Sequence, residues 1–327
     1  MKLTALRTFL ALTAGTLVGF APFQSALCAD YPEKAVNIVV PYSAGGGVDI
    51  VTRLVVKKMS DELKRPFVVE NRPGAGTNIG MAYVARAKPD GYTLYTASNT
   101  FTTNKALYSS LSFDPATAFT SVGRIGEAPL VIVVPQQSPY KTLSELVEYG
   151  QQHPGDLTFG TAGMGSSGHT ASELFTRAGK FKALHVPYKG GSPAITDLLG
   201  GRLSFMVINP LEVISHIKAG KLRALAVLNK KGTPLLPELK TAEKLGFPNL
   251  EATVWWGIVA PAGTPEPIIT KLNAALNTAL RDPDVIKTLH TLGAEPLPGS
   301  ASDFHSFLVK NTAELTEVIK AANIKVD

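Results

Sequence analysis

The sequence predicts an α/β protein of about two domains. Short apolar runs of strand length alternate with stretches of helical periodicity. Three of the apolar runs feed glycine-rich turns that lead into helices. The chain has 327 residues, and about 300 after removal of an expected leader, which is two domains by size.

The elements follow in order. Residues 36–41 (VNIVVP) read as a buried strand, and the turn 44–47 opens a helix whose apolar face is Val51, Leu54, Val55, Met59 and Leu63. Residues 67–69 form the next strand, 71–76 a loop, and 77–87 a helix stopped by Lys88-Pro89-Asp90-Gly91. A third strand spans 92–97, and the apolar run 130–134 another. Thr142 and Glu145 have capping-box spacing, in which each side chain satisfies a free N–H at a helix start. Residues 157–162 form a strand feeding the turn 163–168, and 184–186 a strand. Ser192-Pro193 opens a helix as N-cap and first residue. Strands follow at 203–208, 222–228 and 254–260, and the rest from Thr264 is mostly helical, broken near Pro296 and Pro298. No solenoid repeat or low-complexity tract interrupts the pattern.

The first residues have the grammar of a secretory leader. Lys2 and Arg7 are basic, residues 9–20 are apolar, and Pro22, Gln24 and Ser25 break the run before cleavage after Ala29. The apolar run is shorter than the roughly 20 residues of a membrane-spanning helix, so export with removal of the leader is expected. Cys28 is the only cysteine, and Leu27 before it is a poor fit to a lipid-attachment site. Cleavage then leaves no thiol nucleophile, disulfide or thiolate metal site. The net charge of +6, two of it in the leader, is scattered, which gives no support to nucleic acid as a partner. The mild excess of positive charge fits an anionic solute.

Function concentrates in three turns of one design: 42–47 (YSAGGG), 74–78 (GAGTN) and 161–167 (TAGMGSS). Glycine lets backbone N–H groups approach a ligand, and a helix N-terminus supplies unpaired donors and the positive end of the helix dipole. Thr77, Ser166 and Ser167 add hydroxyls suited to carboxylate oxygens. No phosphate-binding loop motif occurs, and Gly74, Gly76 and Gly80 are spaced one residue too far apart for the dinucleotide fingerprint. No cofactor is expected. The histidines lack paired metal-ligand spacing, so no metal is expected either. Ser166 and His169, three apart at a helix start, allow an alternative as an exported hydrolase, although no nucleophile-elbow motif surrounds the serine. A structural envelope protein without a small-molecule cleft is a third class. Trp255-Trp256 point to opposite faces of a strand, so that one reaches a cleft or both pack in the core. Tyr188 and Lys189 end a strand, where α/β proteins bind ligands. Ser98, Asn99, Tyr188 and Asn209, also at strand ends, are candidates for the far end of a pocket.

The motifs 41–49 (PYSAGGGVD), 71–76 (NRPGAG), 88–94 (KPDGYTL), 161–166 (TAGMGS) and 186–190 (VPYKG) together resemble the periplasmic receptors of tripartite tricarboxylate transporters, the Bug family. The resemblance runs in order from about residue 31 to the C-terminus, with Thr77-Asn78 standing where many relatives have glycine first. It implies a type II periplasmic binding fold with two α/β lobes, 30–133 with 255–327 and 134–254, joined by hinge strands near 131–134 and 255–259. It implies a monomeric, non-enzymatic receptor that closes on a carboxylate and serves membrane permease subunits. It places the carboxylate on the turn from Thr161 through Met164, Gly165, Ser166 and Ser167, with Tyr42, Ser43, Ala44 and Gly45 closing from the other lobe.

Overall fold

The computed structural model describes residues 31–108, 111–322 and 324; the expected leader, Cys28 and the cleavage site lie outside them. The fold below is that of the unit that begins at Pro32. Its first sheet is seeded by β1 (Val36–Val40), a run of β-branched residues with one asparagine. Helix α1 (Gly47–Leu63) follows and buries Val48, Val51, Val55, Val56 and Met59. Then come β2 (Phe67–Asn71), a 3-10 turn (Ala75–Thr77), α2 (Asn78–Ala85), β3 (Thr93–Ala97), α3 (Asn99–Leu107), α4 (Pro115–Ala118) and β4 (Phe119–Pro129). β1 pairs in parallel with both β2 and β3.

The second sheet collects β5 (Val131–Pro135), α5 (Leu143–Gln152), β6 (Leu157–Thr161), α6 (Ser167–Ala178), β7 (Ala183–Pro187), α7 (Gly191–Leu199), β8 (Phe205–Ile208), α8 (Pro210–Lys218) and β9 (Leu222–Val227). Its strand order is β7-β6-β8-β5-β9. The chain then returns to the first sheet through β10 (Thr253–Pro261) and ends with α9 (Glu266–Arg281), α10 (Pro283–Thr291), β11 (Glu295–Pro296) and α11 (Ala301–Ala322). The first sheet is ordered β11-β4-β10-β3-β1-β2. Both sheets are mixed, with helices between the strands, the α/β architecture expected.

Sheet membership changes at Leu130: β4 pairs in the first sheet and β5 in the second. Leu130 N–H donates to Ala252 O at 3.0 Å, Leu228 N–H to Leu130 O at 2.8 Å, and Ala252 N–H to Leu228 O at 2.9 Å. The outgoing and returning strands are thus tied together where they cross. Residues 131–134 bond entirely within the second sheet, and 255–259 within the first.

Several local expectations change. Thr142 caps α5 by accepting the Glu145 N–H, but the Glu145 carboxylate reaches the N–H of Lys141 rather than that of Thr142. Helix α7 begins before Ser192, at Gly191, with Gly190 as N-cap at φ 157°, a conformation open to glycine. Both tryptophans are buried, as in the core alternative. Trp255 packs edge-on to Phe304 and Phe307 and donates its indole N–H to Asn311 Oδ1 at 3.1 Å.

Candidate functional site

Six helix N-termini follow six strand ends: α1, α2 and α3 follow β1, β2 and β3, and α6, α7 and α8 follow β6, β7 and β8. Ligands bind beyond the carboxyl ends of parallel strands in α/β sheets. Contacts join the turns of the two halves. Ser43 N–H and Ser43 Oγ both donate to Lys189 O, at 3.0 and 2.9 Å. Ser192 Oγ donates to Ala44 O at 3.3 Å, and Thr103 Oγ1 to Gly165 O at 2.9 Å. A cavity of about 50 Å³ is walled by both sides: Pro41, Tyr42 and residues 74–77 from the first half, with Ala162, Gly163, Tyr188 and Lys189 from the second. No acidic residue lines it.

The turn 161–167 is held by its own polar groups. Thr161 Oγ1 accepts the Gly163 N–H at 3.2 Å and meets His185 Nε2 at 2.7 Å. Ser166 caps α6, its hydroxyl accepting the His169 N–H at 3.3 Å. His169 Nδ1 accepts the Gly165 N–H at 3.1 Å, which places the ring proton on Nε2. The His169 and His185 rings stack with centroids 4.2 Å apart. Burial holds His169 down at about 4 and His185 at about 3, the latter also pushed down by His169. Both are neutral at neutral pH. The amides of Met164 and Ser167 take no hydrogen-bond partner among the described residues and remain as donors at the head of α6.

The first half is built differently. Its Tyr42–Gly47 turn is occupied from within: Asp49 Oδ2 accepts the Gly45 N–H, and Asp49 Oδ1 takes Arg53 Nε and Asn71 Nδ2, each at 2.9 Å. Burial opposes the Asp49 charge, but these partners outweigh it and hold the carboxyl below its usual range. Glu212, on α8 of the other half, lies against Gly46 and Gly47, where the Gly47 N–H and Asn209 stabilise its charge; burial still pushes its carboxyl up to about 7. Tyr42 is buried, its hydroxyl 3.0 Å from Thr100 Oγ1, and burial raises its phenol to about 12. In the 74–77 turn four successive residues have positive φ: Gly74 128°, Ala75 47°, Gly76 57° and Thr77 79°. Asn104 secures it, donating from Nδ2 to Gly76 O and Asn78 Oδ1, both at 2.7 Å.

The Tripartite tricarboxylate transporter family receptor model matches residues 51–324. The chain belongs to this family. It is 31% identical to Protein BugT of Bordetella pertussis over 322 residues, 98% of this chain and 99% of that one. Among solved structures it is similar to the periplasmic binding protein BugD, with 34% identity, a TM-score of 0.87, and 90% of this chain and 100% of that one covered. It is also similar to Rpa4515 of R. palustris, solved with adipate, with 34% identity, a TM-score of 0.88 and the same coverage. The fold is therefore that of a two-lobe periplasmic binding protein and the family is one of solute-binding receptors. No helix among the described residues is long and apolar enough to cross a membrane.

On this receptor frame the candidate residues separate. Tyr42, Ser43, Ala44, Gly45, Thr77, Thr161, Met164, Gly165, Tyr188 and their neighbours gather at the junction of the halves. Asn78 contributes its side chain to Asn104. Asn99 is spent on structure: Nδ2 donates to Thr253 O and Oδ1 accepts the Trp255 N–H. The Tyr188 hydroxyl turns to Asp197 at 2.6 Å, leaving its backbone at the cavity. Ser98 occupies the N-cap position of α3 in extended backbone, with no capping bond from its side chain. Asn209 stands at the head of α8. The hydrolase geometry is absent, since Ser166 Oγ meets the His169 backbone N–H while the imidazole faces Gly165. No cluster of three His, Cys, Asp or Glu among the described residues would hold a metal ion. Glu212 and Asp49 were not singled out in the sequence; their partners become visible only when the turns are folded together.

Proposed function

We propose that this receptor captures a small carboxylate by closing its two halves about the Leu130–Leu228–Ala252 crossing, and presents the closed state to membrane permease subunits of a tripartite tricarboxylate transporter in the periplasm. In this reading one lobe comprises 32–108 and 111–129 with 253–322, and the other 131–227, a division that the sheet membership of their strands supports. The observation that carries the reading is the cavity shared by both halves, with the unpaired Met164 and Ser167 amides at the head of α6 and Lys189 on its wall. The carboxylate of a ligand completes those donors, and Ser166 and Ser167 add hydroxyls beside them. Lys189 supplies a full positive charge.

The magnitudes require closure. One helix N-terminus contributes about 0.3–1 kcal/mol when exposed and up to ~2 when partly buried. Micromolar affinity needs about −8 kcal/mol, so direct hydrogen bonds in a site sealed from water must supply the rest. Isothermal titration of the mature chain against a panel of mono- and dicarboxylates, with uncharged sugars as controls, tests the reading. Saturable binding of a carboxylate supports it; binding confined to the sugars overturns it.

A further inference from the structure

We propose that Glu212 makes this receptor selective for solutes with one carboxylate and a hydrogen-bond-donating group, an ammonium or a hydroxyl, at the opposite end. This rests on the carboxylate reading above and narrows it. Glu212 belongs to α8 in the second half, yet its carboxylate sits over the start of α1 in the first. Oε1 accepts from Asn209 Nδ2 at 2.5 Å, and Oε2 lies where a Cβ on Gly191 would overlap it. The head of α1, an anion cradle by sequence, is thus already filled by the protein's own carboxylate.

Two further facts set the chemistry of what approaches. None of the ion pairs among the described residues includes Glu212, so its charge is met by amides and not by a cation. Two buried oxygens at this place, Glu212 Oε2 and Asn209 Oδ1, have no hydrogen-bond partner, and Asn209 is only 6% exposed. Both are acceptors, and a buried acceptor left unpaired is costly. An approaching donor completes them. Above about pH 7, where Glu212 is ionised, a second carboxylate brings only more acceptors and charge of the same sign, where exclusion of water strengthens the repulsion. Glu212 does not itself line the cavity; it lies against Gly46, Gly47 and Gly191, beside the Tyr42 and Lys189 turns that do. Adipate, present in the Rpa4515 structure, has a carboxylate at each end, so this chain should depart from that neighbour.

Titration at about pH 8, where Glu212 is ionised, of the mature wild type and of Glu212→Gln with length-matched pairs provides the test: 4-aminobutanoate against butanedioate, 6-aminohexanoate and 6-hydroxyhexanoate against hexanedioate, and 4-(aminomethyl)benzoate against benzene-1,4-dicarboxylate. The wild type should prefer a donor-bearing member over its dicarboxylate counterpart by about ten-fold or more, and Glu212→Gln should cut that ratio by about ten-fold. Wild-type preference for the dicarboxylate overturns the inference while leaving the carboxylate reading intact, as does an unchanged ratio in a Glu212→Gln protein with native thermal unfolding. Failure of every carboxylate to bind removes both.

Discussion

The hydroxyl of Ser166 accepts the His169 N–H that would otherwise be unpaired at the head of α6, and it also faces the place proposed for the ligand's acid group. Ser166→Ala should therefore lose about 1 kcal/mol of stability through the missing cap together with affinity for the carboxylate. Urea unfolding and titration calorimetry on the same variant check the two effects, and a loss of affinity without any loss of stability would contradict the capping role. Behind this turn, His169 and His185 are kept neutral by burial. Their folded pKa values lie below the unfolded value of about 6.5, so the unfolded chain binds more protons as pH falls. The stability these groups provide is fully present above about pH 6.5, and is lost as pH falls toward about 4 for His169 and about 3 for His185. The loss should be on the order of 3 kcal/mol for each histidine by about pH 4. Denaturant unfolding at a series of pH values should show it, with a smaller loss in His185→Gln; equal slopes in the two proteins would contradict the assignment. At this scale Ser166 stood out in the sequence because a serine closing a glycine turn at a helix start is a local pattern, although its role as a cap was not read there. Glu212 was not, because its meaning depends on Gly47 and Gly191, which are distant along the chain.

Helix starts are the repeated device at the level of elements. Three were legible because glycine marks them. α3 and α8 were not: α3 is rich in threonine and asparagine, with weak helix propensity, and is fixed by tertiary bonds from Asn99, Thr103 and Asn104. β4 was missed because glycines interrupt its apolar pattern and its pairing with β10 shifts register twice. The 74–77 turn shows what such an element tolerates. Gly76 has φ 57°, and a side chain there would overlap the Tyr108 hydroxyl and press on Met164 O across the junction. Gly76→Ala should cost about 1–2 kcal/mol in left-handed strain alone and should weaken ligand binding further by obstructing closure. Ala75→Gly at φ 47° should be tolerated. Thermal unfolding with and without ligand distinguishes them, and equal behaviour of the two variants would contradict this account of the turn.

For the whole molecule, the connection between the halves is slender. Leu130 leads out of the first sheet and residues 228–252 lead back, with three backbone hydrogen bonds tying them at the crossing. The hinge strands implied by the resemblance, 131–134 and 255–259, each lie inside one sheet, because apolar strand patterns run through 130–134 without a mark for where pairing changes sheets. A two-state opening at that crossing predicts that small-angle scattering will give a smaller radius of gyration with saturating ligand than without; an identical value would contradict hinge closure. Most direct of all is a crystal structure of the protein with the solute it retains on purification. The solute's acid group should lie about 2.7–3.2 Å from the Met164 and Ser167 amides, with residues from both halves around it; an acid group bound away from residues 161–167, or a solute held by one half alone, would contradict capture between opposed helix N-termini.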